Sequence, residues 1–224
     1  MKSETITPNL IQVTRLHFVN AFLVREDDGF TLVDTTMGRS AADDLIAAAA
    51  AAGGSIRRIA LTHGHGDHVG GLDRLREKLG SGVEVLMPEL DARIHAGEKV
   101  VEGKLPGSWP KLGTRPDVRL AAGDRVGSLE TIATPGHTPG HVSFLDGRDR
   151  SLIGGDVFTS YGRLAVTDHF HLRFPFAAMA TWDKSTDAAS ARAVRELDPT
   201  ILTVGHGPAC RAPAAAMDAA IAGS

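Results

Sequence analysis

The chain has 224 residues, with 24 Lys and Arg against 27 Asp and Glu, 42% hydrophobic and 23% charged residues. That is enough apolar sequence for one soluble globular domain over 1–224 with a substantial core. The net charge of −3 and the lack of any Lys/Arg block exclude the electrostatic footprint of nucleic-acid binding. The single cysteine, Cys210, excludes an internal disulfide. No apolar run is long enough to span a membrane. The start, Met1-Lys2-Ser3-Glu4-Thr5, lacks the apolar core of a signal peptide, so a cytoplasmic protein is expected.

Residues 18–25 and 29–34 read as strands joined by the hairpin signal Asp27-Asp28-Gly29. Asp34 ends the second strand, either as a turn residue before Gly38 or as support for a site behind it. Ser40 to Ala52 reads as a helix with Ser40 at the N-cap, stopped by Gly53-Gly54. A strand near 56–62 and a helix near 69–79 follow, then a strand Val83 to Leu86, an order that implies layered α/β architecture. Residues 97–117 are broken by glycines and prolines around Trp109, and a loop of that length in a compact domain is expected to be a lid over a site. Short strands are expected near 118–120, 129–134, 141–145 and 151–153. An irregular stretch at 157–180 comes next, expected as a second active-site loop, then a helix at 185–197 and a terminal helix opened by Pro213.

Between the strand at 56–62 and the helix at 69–79 lies Thr62-His63-Gly64-His65-Gly66-Asp67-His68-Val69-Gly70-Gly71. In extended backbone, His63 and His65 point the same way and can hold one ion; Asp67 and His68 diverge, which suits a second. Asp67 also stands where it can cap the helix. Three more apolar strands end in glycine-rich backbone carrying a ligand type: His137 in Thr134-Pro135-Gly136-His137, Asp156 in Ile153-Gly154-Gly155-Asp156, and His206 in Val204-Gly205-His206-Gly207. Strand ends on one edge are where α/β folds build sites. Seven ligands exceed the four of a tetrahedral zinc and suit two ions sharing one carboxylate. His141 is expected to pack at a strand start. His17, His95, His169 and His171 are expected as structural or surface residues, with a lesser chance that the last two line a pocket. Tyr161, Trp109 and Arg163 are expected near bound substrate.

The His-x-His-x-Asp-His at His63, His65, Asp67 and His68, followed by His137, Asp156 and His206, resembles the metallo-β-lactamase fold superfamily, and the resemblance covers nearly the whole chain. It implies a four-layer αβ/βα sandwich of two mixed β-sheets flanked by helices, with the site at one edge of the sheets. It further implies that His63, His65 and His137 hold one metal, that Asp67, His68 and His206 hold the other, and that Asp156 bridges them. Among the groups of that superfamily, the chain is similar to the compact glyoxalase II and lactonase-like hydrolases. It lacks the cysteine that many true β-lactamases carry in place of Asp156, and it ends before the helical region of glyoxalase II.

The expected function is a dinuclear metallohydrolase of a small molecule, carrying zinc first, with manganese or iron as alternatives. Two cations bracketing a water lower its pKa toward about 7, and the hydroxide attacks an ester, thioester, lactone or amide carbonyl. Asp67 orients the nucleophile and takes its proton. One alternative is a mononuclear iron persulfide dioxygenase built on His63, His137 and Asp156. The other is a metal-dependent binding module without catalysis. The sequence is compatible with a homodimer and does not name the substrate.

Overall fold

The run Val19-Asn20-Ala21-Phe22-Leu23-Val24 has no alternation of polar and apolar residues. In the computed structural model, which describes residues 1–224, all of it is buried within the strand Val19–Glu26. A strand covered on both faces has to lie between two layers.

The first sheet has seven strands in sequence order: β1 (Lys2–Thr5), β2 (Leu10–Arg15), β3 (Val19–Glu26), β4 (Gly29–Val33), β5 (Ile56–Ala60), β6 (Glu84–Pro88) and β7 (Val118–Leu120). Pairing is antiparallel from β1 to β4 and parallel from β4 to β7. After it come β8 (Arg125–Val126), β9 (Leu129–Ala133), β10 (Val142–Asp146) and β11 (Ser151–Ile153). A small ribbon of β12 (Phe158–Thr159) and β13 (Ala165–Val166) precedes β14 (Ile201–Thr203) and β15 (Cys210–Arg211). The second sheet runs β15-β14-β11-β10-β9-β8, and within it only β11 and β14 are parallel. The helices are α1 (Ala41–Ala51), α2 (Gly66–Val69), α3 (Leu72–Leu79), α4 (Glu89–His95), α5 (Phe176–Ala180), α6 (Lys184–Glu196) and α7 (Ala214–Ala222).

Side chains along β3 alternate between two cores, as the period of a strand dictates. Ala21 and Leu23 join Leu45, Leu72 and Leu75 under α1 and α3. Phe22 and Val24 face Leu129, Phe144 and Ile153 of the second sheet. A third core packs Val194 and Met217 of α6 and α7 on Leu152 and Leu202. The layers are therefore helix, sheet, sheet, helix: the expected sandwich of two mixed sheets. Phe22 and Phe144 are fully buried between the sheets, and each such side chain contributes about 2–3 kcal/mol.

Several elements differ from the sequence reading. The helix expected at 69–79 is two helices, α2 and α3, broken at Gly70-Gly71. A Cβ on Gly70 would lie 2.5 Å from the Gly66 carbonyl oxygen, and one on Gly71 would lie 2.5 Å from that of Thr35. The backbone touches the end of β4 here, and only glycine permits it. Ser40 does not cap α1; its hydroxyl bonds Asp44 instead. The short strands β1, β2, β8 and β15 and the helix α4 are additional, and 157–180 contains β12, β13 and α5 rather than irregular chain alone.

The parallel pairs β4–β5 and β11–β14 end at one edge. There the two halves are stitched together by Val142 N–H to the Thr62 carbonyl, 2.9 Å, and by Asn20 N–H to the Gly205 carbonyl, 2.9 Å. No helix is long and apolar enough to cross a membrane.

Candidate metal centre

Each strand-end loop delivers its ligand candidates to that edge. The loop after β5 presents His63, His65, Asp67 and His68; the second sheet adds His137 after β9, Asp156 after β11 and His206 after β14. Three groups have ligand atoms within 4.8 Å of one another: His63, His65 and His137; His63, His68 and Asp156; Asp67, His68 and His206. Asp156 lies between them. Its Oδ2 is 3.5 Å from His137 Nε2 and 3.1 Å from His206 Nε2, and its Oδ1 is 3.4 Å from His68 Nε2. Asp67 Oδ2 is 3.3 Å from His206 Nε2 and 3.8 Å from His68 Nε2.

The rings are held from behind. His68 Nδ1–H donates to Asp34 Oδ2 at 2.8 Å. The Thr62 hydroxyl donates to the same carboxylate at 2.8 Å and is 3.0 Å from His63 Nδ1, so it accepts from that ring. His137 Nδ1–H faces the Thr181 hydroxyl, and His206 Nδ1–H faces the Phe18 carbonyl, each at 3.0 Å. These bonds fix the tautomers and turn Nε2 toward the centre. His63 Nε2, His68 Nε2 and Asp156 Oδ1 are then buried with no hydrogen-bond partner. Buried polar atoms are seldom left so. Lone pairs converging from imidazoles and carboxylates are the donor set of a divalent cation, so the residues fit the expected group.

The charges agree. Burial pushes the His63 and His137 imidazoles well below their ordinary range, and His65 to about 4, favouring the neutral form that binds metal. Burial opposes ionisation of Asp156 and Asp67, but His206 and His68 beside them hold both carboxyls low. Burial also opposes charge on His206, yet the Asp156 and Asp67 carboxylates raise it to about 9.

Four supports were not legible as such in the sequence. Asp91, buried on α4, accepts Gly64 N–H at 2.8 Å and the Thr138 hydroxyl at 2.7 Å on Oδ2, and Gly140 N–H at 2.8 Å on Oδ1. Burial raises its carboxyl to about 6. His141, expected only to pack, accepts Asp156 N–H on Nε2 at 2.9 Å and so fixes that loop. His95, expected as a structural or surface residue, has Nε2 at 2.9 Å from the Gly64 carbonyl and Nδ1 at 3.1 Å from that of Pro110, tying the 97–117 loop to the metal loop. Behind His137, Asp187 Oδ2 is 2.9 Å from the Thr167 hydroxyl, which donates to the Asp156 carbonyl at 2.6 Å.

Over the centre lies a cavity of about 820 Å³. The segment around Ser108 closes one side, with Gly66 N–H bonded to the Ser108 carbonyl at 2.8 Å. Phe174 covers the other, its ring 4.7 Å from that of His206. Tyr161 stands at the rim. Trp109 does not line the cavity: its ring packs edge-on against His65 at 5.1 Å, and its N–H donates to the Pro106 carbonyl. Nor does Arg163, whose guanidinium lies 3.4 Å from His171 in an adjoining depression; Arg173 lines the cavity instead. His169 pairs with Asp168, away from the centre.

Comparison with known proteins agrees with this geometry. The YobT protein of Bacillus subtilis (strain 168) is 39% identical over 209 residues, covering 91% of this chain and 89% of its own. The probable metallo-hydrolase YybB of the same organism is 28% identical, covering 84% and 80%. The crystal structure of TTHA1623 in a di-iron-bound form superposes with a TM-score of 0.65 at 27% identity, covering 96% of each chain. The family model described as Metallo-beta-lactamase superfamily matches residues 14–206. With its fold, its cluster of candidate metal ligands and these relatives in agreement, the chain belongs to the metallo-beta-lactamase superfamily.

Proposed function

We propose that this protein is a dinuclear hydrolase that cleaves an ester, thioester, lactone or amide bond of a small molecule. The position of Asp156 carries the reading: one carboxylate stands within 3.5 Å of ring nitrogens from both ligand groups, His137 on one side and His68 and His206 on the other. His63, His65 and His137 would hold one cation, Asp67, His68 and His206 the other, and Asp156 both. Zinc is the first choice, with manganese or iron as alternatives, because imidazole and carboxylate accept all three.

Bound divalent cations supply Lewis acidity toward a carbonyl and a water acidified to near neutrality. The chain supplies the rest. Asp67 is the most open of the acidic ligands, with about a quarter of its side chain exposed toward the cavity. It is placed to hold a water and to accept its proton. The segment around Ser108 and the Phe174 wall bound the centre on two sides and bury its ligand nitrogens, which strengthens each electrostatic contact there.

The test is metal content per chain in protein purified without added metal, with hydrolysis and oxygen uptake followed together. About two ions per chain, and oxygen-independent hydrolysis that is lost on chelation and restored by zinc or manganese, is the expected result. A single iron per chain, with oxygen consumed in the presence of a persulfide, would overturn it.

A further inference from the structure

The cavity over the centre is divided by chemistry. Apart from the ligand candidates, its charged lining is one residue, Arg173. Like Arg25, Arg39 and Arg163 among others, Arg173 is in no ion pair, but it alone of the arginines lines this cavity. Its stem is nonetheless held in place. Gly162, at φ +89°, passes so close that a Cβ there would lie 2.5 Å from Arg173 Cδ. Arg173 Nη1 would lie 3.1 Å from the same Cβ, so the side chain lies over Gly162, between the cavity and the adjoining depression, without an ion-pair partner.

The large and small apolar side chains of the lining are Phe18, Met37, Phe174, Phe176, Ala177 and Ala180. Phe174 is nearly buried, packed at tilted and edge-on angles among Phe18, Tyr161 and Phe176 at 5.7 to 6.2 Å. Phe176 is 68% exposed although it lines the cavity, and Met179, one helical step along α5, is 69% exposed. Large apolar side chains left open at the mouth of a site mark contact with an apolar part of a ligand.

We infer that the substrate is an anion with an apolar body: a scissile carbonyl at the ligand cluster, a hydrocarbon or aryl segment along Phe174 and Phe176, and a carboxylate or similar anionic group at Arg173. The inference names the substrate class for the hydrolase reading and rests on it for the position of the carbonyl. Arg173 binds the distal anion through charge-assisted hydrogen bonds, and the apolar walls reject substrates that are polar throughout.

The experiment uses binding, so it does not depend on turnover. Adipate and sebacate, which carry a carboxylate at each end, are titrated into the metal-loaded protein against hexanoate and decanoate, which carry one. The dicarboxylates are expected to bind about tenfold more tightly than their monocarboxylate partners, the scale of one hydrogen bond to a charged group. Arg173→Gln removes that advantage, and Arg173→Glu reverses it in favour of 6-aminohexanoate over hexanoate. Equal affinity for the two series in the wild-type protein, or an advantage that survives Arg173→Glu, overturns the inference. Esters, thioesters and amides of the same acids, with the matching lactones, then separate the two readings. Arg173-dependent binding with no hydrolysis sinks the hydrolase and leaves the anion site standing. Hydrolysis with no preference for the anionic acyl group does the reverse.

Discussion

Asp91 accepts the N–H of Gly64 at 2.8 Å, and Gly64 is the residue between His63 and His65. Through Thr138 and Gly140 the same carboxylate holds the loop that carries His137. One side chain of α4 therefore sets the distance between the two loops that supply the first ligand group. Asp91→Ala leaves two buried donors, Gly64 N–H and the Thr138 hydroxyl, and the partly buried Gly140 N–H unsatisfied, and each buried one costs about 1–3 kcal/mol. Denaturant titration of the metal-free protein should show a loss of several kcal/mol. Metal titration should show occupancy of the His63, His65 and His137 group falling before that of the other. Unchanged metal affinity in a folded Asp91→Ala protein would mean that the loops hold themselves.

Asp34 stands behind both groups, directly under His68 and through the Thr62 hydroxyl under His63. It does so from a left-handed backbone conformation, φ +61°. Asparagine tolerates that conformation, so Asp34→Asn changes the charge and one acceptor while sparing the backbone. Loss of such an outer carboxylate costs about 10–100-fold in metal affinity. The expected outcome is that range of loss for the more weakly held ion, read by competition with a chromophoric chelator, with the circular dichroism spectrum unchanged.

Asp67 is partly open to the cavity, and its removal creates no void in the core. Asp67→Ala should retain the fold and lose at least about 100-fold in kcat, the scale of a positioned proton acceptor. Asp67→Asn should be nearly as impaired, because an amide can ligate weakly but cannot take the proton. Full turnover by either variant would remove Asp67 from the mechanism.

Asp187 should be a neutral acid in the folded protein. The Thr167 hydroxyl has one proton, spent on the Asp156 carbonyl at 2.6 Å, so the contact at 2.9 Å to Asp187 Oδ2 needs a proton from Asp187. Burial, with Asp168 and Asp156 nearby, raises its carboxyl to about 8. The folded state then binds a proton that the unfolded chain has lost above its ordinary carboxylate range. This contribution to stability is fully present below about pH 4 and is lost as pH rises through about 8. Asp187→Asn keeps the neutral form at every pH. Over that interval the stability of the wild-type protein, relative to the variant, should fall by about 1.4 kcal/mol per pH unit. Urea denaturation in the presence of a chelator measures it, and parallel pH profiles for the two proteins would show Asp187 to be ionised.

The ligand loops were legible because their signal is local. An apolar strand, a glycine and a ligand type are adjacent in sequence at His63, His137, Asp156 and His206, and strand ends need little tertiary information to place. Asp91 and His95 left no such trace. They lie on a helix of seven residues, Glu-Leu-Asp-Ala-Arg-Ile-His, too short for a periodic pattern, and their partners are 15 to 49 residues away. The break between α2 and α3 was hidden for a related reason. Leu72, Leu75 and Leu79 keep helical spacing, while Gly70 and Gly71 are set by the end of β4, which that spacing does not reveal. Arg163 and Arg173 show the limit most plainly. Both flank the same loop and both line the adjoining depression, yet only Arg173, packed over Gly162, also lines the cavity.

The ligands come from both sheets, and that gives the centre a mechanical role. His63, His65, Asp67 and His68 follow a strand of one sheet; His137, Asp156 and His206 follow strands of the other. Occupancy of the centre is therefore equivalent to a cross-link between the halves of the sandwich, closing a loop from 63 to 206 that no disulfide closes. Emptied of metal, the edge that holds Thr62, Val142, Asn20 and Gly205 together keeps only its hydrogen bonds. Amide exchange should then quicken at that seam first, while the cores beneath the helices stay protected. Chemistry and cohesion would in this way be vested in the same few atoms, so loss of metal is expected to abolish activity and loosen the two halves in one event.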